Sequence, residues 1–132
     1  MKPIIKSVEE LYSRKEGTGE VVLDEMASIL RKTRIIAVSD MATLMNVSAH
    51  QLNMAVGMIT GMTVRSIING WRLLQARDML RQSSAVEAID GFKQNTGTTD
   101  RVRRLDAVAR ACGWRSYRVM LNVARRSGFE LE

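Results

Sequence analysis

The sequence predicts an all-α fold in which two helix-turn-helix units, each part of a three-helix type of subdomain, are joined by a long linker helix. Three observations predict it. The single proline in 132 residues is Pro3, aromatics make up 5% and there are nine methionines, so little stands against helix formation. Apolar residues recur at helical spacing through residues 21–82. A pattern also appears twice at an offset of 67 residues: Met41-Ala42 falls on Val108-Ala109, Leu44-Met45 on Ala111-Cys112, Val47 on Trp114, Leu52 on Val119, Val56 on Val123 and Gly61 on Gly128.

Taken in order, residues 1–20 read as a polar N-terminal extension with a short helix over 7–12 and a loop around Gly17-Thr18-Gly19. The first subdomain is 21–62. Val22, Met26, Ile29 and Leu30 give a helix over 21–32, with Arg31 and Lys32 complementing its C-terminal dipole. Ser39 is read as the N-cap of a short helix reaching Met45, Asn46 as the left-handed turn residue, and 49–60 as the second helix, stopped by Gly61. The linker helix is 63–82, with Val64, Ile67, Ile68, Trp71, Leu74 and Leu80 on its apolar positions and Arg65, Arg72, Arg77 and Arg81 off them. Such a helix spans roughly 30 Å, close to the ~34 Å of one DNA turn.

Residues 83–104, with Gly91, Asn95 and Gly97, read as an inserted flexible loop. The second subdomain, 105–132, repeats the first: Asp106 as N-cap, Gly113 at the turn, a helix over 115–127 and Gly128 as its stop. Small Ala42 and Ala109 let each second helix pass close over the first. Trp71, Trp114 and Cys112 are expected in the core, with methionines filling it in place of phenylalanine.

The formal net charge is +6, and its distribution matters more than its size. Residues 1–62 carry seven basic and seven acidic side chains, 63–100 carry five and four, and 101–132 carry eight and three. The excess is therefore local to the second unit, which suits a polyanion-binding face. One cysteine allows no intramolecular disulfide, and Met1-Lys2-Pro3-Ile4-Ile5 lacks the apolar run of a signal peptide, so a cytoplasmic location is expected. No stretch approaches the roughly 20 apolar residues of a membrane span, so no membrane partner is expected. His50, the sole histidine, has no neighbouring ligand partner, and there is no glycine-rich phosphate loop or nucleophile with a histidine base. No enzyme activity, catalytic residue, metal or cofactor is expected.

Val47-Ser48, Gly61-Met62-Thr63, the stretch Arg72-Leu73-Leu74-Gln75-Ala76-Arg77-Asp78-Met79-Leu80, and Asp106-Ala107-Val108-Ala109-Arg110-Ala111-Cys112-Gly113-Trp114 together resemble the AraC/XylS family of bacterial transcription regulators. The resemblance covers about Val21 to Gly128. It implies a homeodomain-like pair of subdomains that binds double-stranded DNA, with base-reading positions of the first unit on His50, Asn53 and Met54. The chain departs from the family in the length of 83–104 and in having Met120 and Ala124 where phenylalanine is usual. It also has no room for a separate effector domain, so no small-molecule ligand is implied.

On residue chemistry, the base-contact candidates are His50, Gln51, Asn53, Ser116, Tyr117, Arg118 and Asn122: Asn and Gln pair with adenine, Arg with guanine. The phosphate candidates are Arg65, Arg72, Arg101, Arg103, Arg104, Arg115, Arg125 and Arg126. The second unit is expected to do most of the reading, because 49–60 contains no lysine or arginine. That neutral helix also motivates an alternative, a protein-interaction module that keeps the fold without DNA binding. Beside double-stranded DNA, a protein partner such as the transcription machinery is expected.

Overall fold

The structure, a computed structural model, describes residues 7–90 and 97–131, with side chains for 7–82 and 102–131. Among the described residues there are seven α-helices and no strand: α1 (Val8–Ser13), α2 (Val21–Lys32), α3 (Val38–Leu44), α4 (Ala49–Thr60), α5 (Val64–Asp90), α6 (Gly97–Ala111) and α7 (Tyr117–Ser127). The chain divides within α5 into two compact units, Met1–Trp71 and Arg72–Glu132.

In the first unit the apolar stripes dictate the packing. Leu23, Met26, Ala27 and Leu30 of α2 are spaced i, i+3, i+4, i+7 and all four are buried. Val64, Ile67, Ile68 and Trp71 repeat that spacing at the start of α5, and Met41, Ala42, Leu52 and Val56 of α3 and α4 complete the cluster. Each large apolar side chain so buried contributes about 1.5–3 kcal/mol. The short helix expected over 7–12 is present as α1, and it packs into this unit instead of standing apart as an extension. Leu11 of α1 is buried in this core, the Tyr12 ring meets Trp71 edge-on at 5.0 Å, and Arg31 lies 5.2 Å from the Trp71 ring centroid. A six-residue helix is too short to persist alone, and this packing stabilises it. Gly70 admits Val8, since a Cβ there would come within 3.1 Å of the Val8 side chain.

The loop from α1 to α2 is closed by Asp24, whose carboxylate accepts from Thr18 N–H at 2.7 Å, Thr18 Oγ1–H at 2.9 Å and Gly19 N–H at 3.2 Å. These bonds, led by the Thr18 backbone N–H, hold its pKa below the usual carboxylate value.

In the second unit Leu73, Leu74 and Ala76 of α5, Val108, Ala109, Cys112 and Trp114 around α6, and Met120 and Ala124 of α7 are buried. The Cys112 thiol lies 3.6 Å from Met79 Sδ, and burial pushes its pKa up. Arg77 stacks over the Phe129 ring at 5.1 Å. The expected loop over 83–104 is corrected at both ends: α5 continues to Asp90 and α6 begins at Gly97. Residues 83–90 contain neither glycine nor proline, and Ala85, Glu87 and Ala88 are favourable helix formers. Residues 91–96 of that segment lie outside the described residues. No helix among the described residues is long and apolar enough to cross a membrane.

The two helix pairs turn in the same way. Asn46 (φ 58°) and Gly113 (φ 95°) both adopt left-handed backbone. Val47 N–H donates to Ala42 C=O at 3.0 Å, and Trp114 N–H to Ala109 C=O at 2.9 Å. Asn46 N–H donates to Thr43 C=O, and Gly113 N–H to Arg110 C=O, at 3.1 and 3.0 Å. The helices before the turns do not start as expected. Ala37, without a capping side chain, precedes α3 rather than Ser39, and Asp106 lies inside α6.

Candidate nucleic-acid interface

After the turn the two copies slip by one residue. Ser48 caps α4 and Ser116 caps α7, an offset of 68, because Arg115 is an extra residue before the second cap. Leu52 and Val56, buried on α4, therefore correspond to buried Met120 and Ala124, not to Val119 and Val123 as the unbroken repeat implies. Val119 is 38% exposed and Met120 is 0% exposed. Both helices end on a left-handed glycine, Gly61 (φ 74°) and Gly128 (φ 65°).

This register fixes what α7 shows to solvent. With Met120 and Ala124 inward, the position opposite them at about 100° per residue is Asn122, flanked by Arg118, Arg125 and Arg126. All four are exposed, as is Arg115 just before the helix. A side-chain hydrogen bond to Tyr117 raises the Arg118 pKa further, so that guanidinium is charged throughout the accessible pH range. The N-terminus of α7 is anchored by two acceptors. Ser116 Oγ accepts from Val119 N–H at 3.4 Å, and Asp106 Oδ1 reaches from α6 to accept from Tyr117 N–H at 3.2 Å. Asp106 Oδ2 also accepts from Arg110 Nε at 2.8 Å. Sequence reasoning, which makes Asp106 a local cap, misses this tie, because Tyr117 lies beyond the turn in the next helix and no spacing rule links the two.

In α4 the same outward positions are neutral. Met54 stands where Asn122 stands in α7, His50 where Arg118 does, Gly57 where Arg125 does and Met58 where Arg126 does. Met54 is 56% and Met58 77% exposed. Two candidate readers on this helix have structural partners: Gln51 Oε1 accepts from Ser48 N–H at 3.1 Å in a capping box, and Asn53 Oδ1 accepts from Val64 N–H at 3.1 Å at the start of α5. His50 is exposed.

Among the phosphate candidates, Arg65 and Arg103 are exposed and Arg104 is half-buried. Arg72 is a correction. It is 1% exposed, its Nη1 donates to Gln75 Oε1 at 2.8 Å, and burial lowers its pKa, so it does not reach a phosphate. The cause is local: Trp71, Arg72, Leu73 and Leu74 are consecutively buried, leaving that turn of α5 no solvent-facing position. The side chain of Arg101 lies outside the described residues. Comparison with models of protein families, with curated proteins and with solved structures gave no match.

Proposed function

We propose that the chain is a sequence-specific double-stranded DNA-binding transcription regulator of the AraC/XylS type, reading the major groove mainly with α7. In this reading α3–α4 and α6–α7 are the two helix-turn-helix pairs, with α5 as the linker helix. The exposed face of α7 carries the proposal: Arg118, Asn122, Arg125 and Arg126 surround one outward direction, on a helix anchored at its N-terminus by Ser116 and Asp106. Arg118 offers the bidentate donor pair that guanine accepts, and Asn122 the donor and acceptor that adenine matches. Arg115, Arg125 and Arg126 supply phosphate contacts that position the helix without reading sequence. The reading includes no catalysis and no cofactor, and a cytoplasmic location.

The test is a salt titration of binding to random duplex DNA, comparing wild type with a variant in which Arg115, Arg125 and Arg126 are alanine. The log–log slope is expected to flatten by about 0.9 for each phosphate that the variant no longer neutralises. Absence of duplex binding by the wild type at low salt overturns the proposal.

A further inference from the structure

We propose that the groove between α2 and α4 of the first unit docks an amphipathic helix of a partner protein, one with an apolar face flanked by lysine or arginine. The groove has a volume of about 340 Å³. Val22, Met45, Val47 and Ala55 give it apolar walls, and Gln51 and Glu25 are its polar lining.

Three observations identify the occupant. The first is the extent of the apolar surface. Met54, Ala55 and Met58 lie side by side on α4, a second apolar strip besides the one that buries Leu52 and Val56. Five of the seven exposed large hydrophobic residues among the described ones, Val21, Leu44, Val47, Met54 and Met58, belong to this unit. Of these, Val47 lines the groove itself, and the unbranched Met45 beside it adapts to a helix laid across it.

The second is shape: a trough walled by two helices and lined by apolar side chains receives the i, i+3, i+4 anchors of a third helix. The third is charge. Glu25 is the single charged residue lining the groove, and α4 carries no lysine, arginine, aspartate or glutamate. A basic residue beside the apolar anchors complements Glu25, whereas a phosphate backbone is repelled by it. A second copy meeting its twin groove to groove would bring the same Glu25 and lack the complementary charge. The inference does not depend on DNA binding by α7, since it rests on first-unit residues alone.

The experiment selects a displayed library of random helix-forming peptides against the full chain, then measures the selected peptides by fluorescence anisotropy. Wild type is compared with Val47→Asp and Glu25→Lys, both at exposed positions, with helical content checked by circular dichroism. Selected peptides are expected to carry apolar residues at i, i+3, i+4, i+7 beside Lys or Arg. Val47→Asp is expected to weaken them at least about tenfold, and Glu25→Lys to shift preference toward versions in which Lys is replaced by Glu. Selection of no peptide, or of peptides that bind all three proteins equally, overturns the proposal. Concentration-dependent self-association that Val47→Asp abolishes overturns it in favour of a second copy. Loss of duplex DNA affinity in Val47→Asp, with peptide binding unchanged, overturns it in favour of DNA.

Discussion

Asn46 and Gly113 occupy the same point of two turns and show how a single backbone angle decides residue type. Left-handed backbone costs an ordinary L-residue roughly 1–2 kcal/mol, glycine escapes that cost and asparagine tolerates it best. Gly113→Ala is therefore expected to lower stability by about 1–2 kcal/mol in urea unfolding, while Asn46→Gly leaves it near wild type. This position was legible, because few other residue types suit it. Asp24 was not, because its partners Thr18 and Gly19 precede it across a loop with no spacing rule. Its pKa is lowered in the folded chain, so its contribution to stability is present above the ordinary value near 3.8 and is lost as pH falls through the lower folded value. Asp24→Asn is expected to destabilise the chain by roughly 1 kcal/mol at about pH 7, with the difference from wild type shrinking on acidification below the ordinary carboxylate pKa. Urea titrations at the two pH values measure it.

At the scale of the element, α7 illustrates what a repeat leaves undecided. Val119, Met120, Val123 and Ala124 are all apolar, so two registers one residue apart bury equally apolar pairs. The unbroken offset of 67 selects Val119 and Val123; the extra residue Arg115 before the Ser116 cap rotates the helix so that Met120 and Ala124 go inward. The register is testable by a pair of substitutions. Met120→Ala is expected to cost about 2–5 kcal/mol as a cavity in the core, and Val119→Lys to stay within about 0.5 kcal/mol. The opposite order in thermal or urea unfolding would restore the 67-residue register and turn Asn122 away from the centre of the exposed face. The extents of α2 and α4 were legible because apolar spacing marked their faces and Gly61 marked the end of α4; the Ser48 cap at its start was found only in the structure. The helical content of 83–90 was obscured by neighbouring Gly91 and Asn95, which suggested a loop on either side of themselves.

Across the whole chain the charge imbalance of the last 32 residues, eight basic to three acidic, was readable from the sequence. Which of those charges share a face was not, since that depended on the register of α7. The same register exposes an asymmetry between the units: the outermost position of α7 is Asn122 among arginines, whereas that of α4 is Met54 beside His50, Gly57 and Met58. A neutral helix releases few counterions, so in the DNA-binding reading almost all salt dependence comes from the second unit. The asymmetry predicts a gain of function. Met54 is more than half exposed, so Met54→Arg adds a charge at the centre of the α4 face without opening the core. If α4 faces duplex DNA when α7 binds, this variant is expected to tighten binding to random duplex at low salt and to steepen the log–log slope by about 0.9, the signature of one more neutralised phosphate. An unchanged slope, with the α7 arginines still required, means that α4 is turned away from the duplex and leaves its methionine face to a protein partner.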